Sequence, residues 1–230
     1  MSETGRMDTA LACAYVRGRC LRTNPQALPD TLLKKPLDQL TESERHQLIL
    51  HGRQAEWKLY RFKNHEDLPR VRKVISFLRA IYPENLLDVG SGRGVFLFPF
   101  LHAFPGVPVT SVDILPHRVE ALDDIGRGGA DMLTAVQQDI TAWNMPDDSF
   151  DVVTLLEVLE HISDVQSAVC AAVRLARRYV VVTVPSKPDD NPEHIHLLTK
   201  DILTDLFTRA GCTSLRFDGV PGHLVMIASL

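Results

Sequence analysis

The stretch Leu86-Leu87-Asp88-Val89-Gly90-Ser91-Gly92-Arg93-Gly94 restricts the fold more than any other part of the chain. Its first four residues read as a short buried strand, and the next five hold three glycines. Glycines this close let the backbone turn tightly and let a ligand lie against it with no Cβ in the way. Val95, Phe96, Leu97 and Phe98 follow. A helix starting there would point its free N–H groups and positive dipole end into the same space. The spacing is G-x-G-x-G, not the G-x-G-x-x-G of a dinucleotide turn. Asp88 also stands two residues before the first glycine, where a nicotinamide-binding strand is usually apolar. A nicotinamide-dependent oxidoreductase is disfavoured on that spacing.

From Leu86 onward strand and helix patterns alternate, which predicts an α/β fold with a parallel sheet. Strands are expected at 86–89, 107–112, 133–137, 150–156 and 179–184, the last stopped by Pro185. Helices are expected from 114 to about Ile125, over 165–176, and after Thr199, where Gly211 would end the helix. Two final strands, 214–217 and 224–228, flank Gly219-Val220-Pro221-Gly222 as a hairpin. Ahead of Leu86, residues 1–83 read as a helical extension and 84–230 as the main domain. Residues 13–21 suit a short helix. Thr41-Glu42-Ser43-Glu44 is a capping-box pattern for a helix to about Phe62. Val71, Val74, Ile75, Leu78 and Ile81 lie at helical spacing over 69–81, and Pro83 ends that segment.

The glycine turn resembles motif I of the class I S-adenosylmethionine-dependent methyltransferases. That resemblance implies a Rossmann-like seven-stranded sheet, mostly parallel with the last strand antiparallel. Helices ahead of the motif would lid the active site. In open α/β sheets ligands sit beyond the carboxyl ends of the strands. The cofactor, S-adenosylmethionine, would meet Asp88, Gly90, Ser91, Gly92 and Gly94 at the turn. Asp113 and Ile114 end the second strand, where an acid can accept from both ribose hydroxyls. Asp139 would meet the adenine amino group, Ile140 would flank the ring, and Leu156 closes the fourth strand.

Leu155 to Ile162 contains E-x-x-E-H at Glu157, Glu160 and His161. On a helix these three share one face. Two close carboxylates repel unless a cation or proton lies between them. With a histidine they supply three of the ligands a divalent metal (Mn, Mg, Co or Zn) needs. His194 or His196, in the loop Pro185 to His196, could add a fourth. The stretch is similar to two methyltransferase families: small-RNA 3′-terminal 2′-O-methyltransferases, and ubiquinone-pathway O-methyltransferases. The first implies Glu157, Glu160, His161 and His194 as metal ligands. Without a metal, His161 is the candidate general base and Glu157 faces the cofactor. Lys187 and His223 are weaker candidates for contacting the acceptor, and exposed loop positions would also explain both.

These features predict a methyltransferase acting on oxygen of a small-molecule acceptor. RNA ribose 2′-O-methylation and a non-catalytic cofactor-binding module are the alternatives. The loop Pro185 to His196 is rich in Pro and Asp, unlike the basic, aromatic loop that RNA favours. Residues 1–83 carry 15 Lys and Arg against 9 Asp and Glu, and residues 84–230 carry 10 against 20. The basic part either docks on the acidic part or attracts an anionic substrate. Docking is the simpler account, because acids are interspersed among the bases. Cys13, Cys20, Cys170 and Cys212 are scattered, with no C-x-x-C to make a zinc site or disulfide frame. No signal peptide or membrane span is readable, which makes the cytoplasm the expected location.

Overall fold

A computed structural model describes residues 7–230; the first six residues of the expected extension lie outside it. Helices α1 (Thr9–Thr23), α2 (Asp30–Lys34), α3 (Glu42–Gln54) and α4 (Pro69–Ile81) precede the first strand. Alternation then gives β1 (Leu86–Val89), α5 (Leu97–Ala103), β2 (Val109–Asp113), α6 (Pro116–Arg127), β3 (Leu133–Gln137) and β4 (Phe150–Leu156). The chain ends with α7 (Val165–Leu175), β5 (Ala176–Pro185), α8 (Lys200–Arg209), β6 (Ser214–Val220) and β7 (His223–Ser229). Among the described residues the strands form one seven-stranded sheet in the order β3-β2-β1-β4-β5-β7-β6. β1 pairs in parallel with β2 and β4, whereas β7 runs against both β5 and β6. The order reverses at β1 and β4, the crevice in which such sheets bind ligands.

β1 is buried at all four positions because both faces of the sheet are covered. Leu86, Val152, Val181 and Ile227 lie in one core with the N-terminal helices and α5. Leu87, Val153, Val180 and Met226 lie in the other with α7 and α8.

The N-terminal region differs from its sequence reading. α1 is longer than expected and buried from Leu11 through Gly18 and again at Cys20. It crosses α6 so closely that a Cβ on Gly18 would stand 1.7 Å from the Asp124 carbonyl oxygen. A Cβ on Gly128 would stand 1.7 Å from that of Ala14. Arg22 Nε seals the crossing with a 2.7 Å bond to buried Asp124. The described part of the extension therefore packs into the core, and among the described residues only the start of α4 reaches the cleft.

α3 keeps its capping box, with Glu44 N–H donating to Thr41 Oγ1 at 3.2 Å and Thr41 N–H to Glu44 Oε2 at 2.7 Å. It stops at Gln54, short of Phe62, because the chain breaks into a left-handed residue at Glu56, φ 57°. A short 3-10 turn, Leu59–Arg61, resumes after the break. No described helix is long and apolar enough to cross a membrane.

Candidate active site

The carboxyl ends of β1, β2 and β4 open into a cavity of about 780 Å³. That is ample for a nucleoside-sized ligand. Asp88, Gly90, Ser91, Gly92 and Arg93 line it from the turn, and Asp113, Ile114, Leu115 and Arg118 from the end of β2. Gln138, Asp139 and Ile140 approach after β3, and Leu156, Glu157, Val158 and His161 after β4. Gly90 and Gly92 have φ of 65° and 57°, the left-handed region that the turn requires.

Asp88 braces this turn from beneath. It is 2 % exposed, and its carboxylate accepts from Ser91 Oγ at 2.5 Å and Thr154 Oγ1 at 2.7 Å. Burial pushes its carboxyl up to about 6, against those hydrogen bonds, and the charge of Asp113 adds to the rise. Asp113 accepts from the Leu115 N–H at 2.9 Å, and Arg118 lies 3.4 Å from its other oxygen. Ile114 is 63 % exposed beside it, an apolar surface in position for a flat ring. Asp139 accepts from Thr141 N–H at 2.8 Å and caps the short turn that carries buried Ile140.

At the other end of the cavity Glu160, His161 and His194 bring one ligand atom each within 4.8 Å of one another. Glu160 is fully buried and neither of its oxygens has a hydrogen-bond partner. Burial pushes its carboxyl up to about 7, its own backbone N–H draws it down, the charges of Glu157 and Asp189 add to the rise, and Arg70 opposes it. His161 Nδ1 lies 2.9 Å from the Glu193 carbonyl, which can only accept, so Nδ1 carries the proton and Nε2 keeps a lone pair. His194 Nδ1 is 2.8 Å from Asp189 Oδ2, which leaves its Nε2 free in the same way. An unpartnered buried carboxylate beside two imidazoles oriented from behind fits a divalent cation.

A family model described as a methyltransferase domain matches residues 60–216, about two thirds of the chain. The chain belongs to that family. Its sheet and glycine turn are those of the class I S-adenosylmethionine-dependent methyltransferases. A ubiquinone biosynthesis O-methyltransferase of Pseudomonas putida (strain GB-1) is 33% identical over 115 residues, 49% of this chain and 48% of that protein. The methyltransferase spans less than half the length of the relatives it matches. An O-methyltransferase family protein from Burkholderia thailandensis superimposes with TM-score 0.60 at 15% identity, covering 96% of this chain and 71% of that one. The [4+2]-cyclase SpnF superimposes with TM-score 0.57 at 16% identity, covering 70% and 79%, so the fold alone does not set the reaction.

Within this methyltransferase the cavity gathers every expected cofactor residue except one. Gly94 does not line it. Its φ of 76° and the Phe98 ring, 2.4 Å from where a Cβ would stand, make its glycine a packing requirement. The expected metal set is also corrected. Glu157 is not on a helix with Glu160; it takes φ 59°, and only Leu159–His161 form a 3-10 turn. Its carboxylate turns to Thr183 Oγ1 at 2.8 Å and His223 Nε2 at 3.1 Å, outside the three-residue cluster. Of the two loop histidines it is His194 that joins. Sequence reading missed Arg70, which lines the cavity from the first turn of α4 and has no hydrogen bond or ion pair among the described residues. The signal available was an arginine immediately after the helix-starting Pro69. Gln138, Thr183 and Glu193 were missed too, since none belongs to a motif.

Proposed function

We propose that this methyltransferase moves the methyl group of S-adenosylmethionine to an oxygen of a small-molecule acceptor. The observation that carries the reading is one continuous cavity with the glycine turn and Asp113 at one end and His161, its Nε2 lone pair free, at the other. The O-methyltransferase relatives support oxygen as the receiving atom.

In this reading Asp113 accepts from the ribose hydroxyls, Ile114 and Ile140 hold the adenine, and Arg70 answers the cofactor's carboxylate. The sulfonium is already a good leaving group, so the enzyme's main work is alignment, worth up to about 7–11 kcal/mol. His161 Nε2 takes the acceptor's proton, worth about 10²–10⁴-fold in rate. Alternatively, a divalent cation bound by Glu160, His161 and His194 would occupy that Nε2 lone pair and would itself acidify an acceptor hydroxyl.

The test is transfer of labelled methyl from S-adenosylmethionine to a panel of phenols, catechols and aliphatic alcohols, repeated after exhaustive chelation and with Mn²⁺, Mg²⁺, Co²⁺ or Zn²⁺ restored. Label on oxygen of a small acceptor is expected. Tight binding of S-adenosylhomocysteine without transfer to any acceptor would make the chain a binding module. Activity that survives chelation and gains nothing from added metal ends the cation reading.

A further inference from the structure

His223 lies at the first position of β7, opposite Pro185 of β5, and no motif includes it. Both of its ring nitrogens nevertheless face acceptors, so the two bonds form together only when the ring is the imidazolium. Nδ1 is 3.1 Å from the Pro221 carbonyl and Nε2 is 3.1 Å from Glu157 Oε2. Glu157 in turn has its other oxygen on Thr183 Oγ1, 2.8 Å away, and its backbone N–H on the Thr183 carbonyl at 2.9 Å. Both side chains are about three-quarters shielded, with 24% and 23% of their surfaces exposed. A non-glycine residue at φ 59° carries a backbone cost, so something must hold it there. Thr183 and His223 are what hold it.

The consequence lies three residues on. Glu157 is near enough for its charge to act on Glu160, yet its oxygens are committed to β5 and β7. Had it turned inward, the E-x-x-E-H stretch with His194 would present four protein ligands. As built, it presents three. A divalent ion with fewer protein ligands keeps more positions open, which is what separates reactive sites from closed structural ones.

We infer that His223 is a positioning residue that draws Glu157 out of the Glu160–His161–His194 cluster and so keeps a coordination position open for an acceptor oxygen. The inference rests on the cation reading above, and the experiment separates the two. Mn²⁺ is titrated calorimetrically into the full chain and its variants, S-adenosylhomocysteine into the wild type, and a thermal melt of each checks the fold. His223→Ala frees Glu157 Oε2, leaving Thr183 on the other oxygen, and is expected to tighten Mn²⁺ binding at least about fivefold as that oxygen swings to the cluster, since affinity rises with ligand charge count. His223→Ala combined with Glu157→Gln should lose that gain. His223→Gln, whose amide still donates to Glu157, should bind as the wild type does, and Glu157→Gln alone should stay within about threefold of it.

A merely structural role for His223 would not produce a gain in affinity that depends on Glu157. The inference is overturned if Glu157→Gln alone weakens Mn²⁺ about tenfold, which would make Glu157 a ligand already. It is equally overturned if His223→Ala leaves affinity unchanged or lowers it. Absence of Mn²⁺ binding to the wild type, at normal S-adenosylhomocysteine affinity, removes the cation reading and this inference with it.

Discussion

Gly92 and Gly94 are two residues apart and both have positive φ, yet the structure gives them different work. A Cβ on Gly92 would meet nothing closer than the Gly90 carbonyl oxygen at 3.7 Å and Arg118 Nη1 at 3.9 Å. Gly92→Ala therefore incurs only the left-handed backbone cost, about 1–2 kcal/mol. For a chain of this size that lowers Tm by roughly 2–8 °C. The added methyl, however, projects into the cavity where the cofactor must lie, and S-adenosylhomocysteine should bind at least about tenfold more weakly, a loss of about 1.4 kcal/mol or more. Gly94→Ala meets the same backbone cost and, in addition, the Phe98 ring at 2.4–2.6 Å. That ring is buried and packs on Phe62 at 5.9 Å, so it has little room to retreat. Overpacking adds about 1–3 kcal/mol, for a total of about 2–5. Tm should fall by roughly 4–20 °C, while the folded protein binds S-adenosylhomocysteine within about threefold of wild type. Thermal melts and calorimetric titrations on the two variants read both quantities. Equal loss of affinity in both, or normal affinity in Gly92→Ala, would refute the division of roles.

Four further outcomes follow from the geometry. Arg70→Met should weaken S-adenosylhomocysteine roughly tenfold or more, as loss of a hydrogen bond to a charged group does, but leave methylthioadenosine, which lacks the carboxylate, unaffected; equal effects on both would dismiss the assignment. Asp88 has its folded pKa raised from 3.8 to about 6, so its contribution to stability is full below about pH 4 and is lost as pH rises through 6. Asp88→Asn should accordingly melt higher than wild type at pH 7.5, by about 1–3 kcal/mol, and lose that advantage by pH 4; lower stability at every pH would mean that the lost hydrogen bonds outweigh burial. His102, raised by its hydrogen bond to Asp8, stabilises the α1–α5 contact fully below pH 6.5 and loses this as pH climbs through the raised value. Because His102 is 40% exposed, His102→Gln should cost only about 0.5–1 kcal/mol near pH 6 and almost nothing by pH 9, read from melts across pH. Gly18→Ala must separate α1 from α6 at the Asp124 carbonyl, and a loss of more than about 3 kcal/mol in chemical denaturation is expected; a neutral result would show that the crossing can relax.

What the sequence discloses and what it withholds divide along one line. β1 and β4 fall where the apolar runs place them, because central strands covered on both faces are apolar at most positions. Asp113 and Asp139 were readable from position: one closes β2 and the other lies two residues past β3, and the sheet puts strand ends at the crevice. α1 was not readable as core. Its residues Cys13, Ala14, Gly18 and Cys20 are small, and smallness is what lets two helix backbones touch. Burial by close approach leaves no periodic signal.

The two glutamates of E-x-x-E-H mark the other limit. Spacing by three places them together only if every residue between stays helical. One left-handed residue, Glu157 itself, ends the strand and turns its side chain to the neighbouring strands, while Leu159–His161 wind separately. The polar partners that hold this arrangement, Thr183 and His223, lie 26 and 66 positions away in the chain and meet it only because β5 and β7 are sheet neighbours. A motif thus names the residues able to share a site, but the strand order decides which of them face it. The separation of Glu157 from Glu160 is a product of topology, and any chain with the same stretch but without hydrogen-bonding residues at both the β5 and the β7 positions should bring both carboxylates to the cluster.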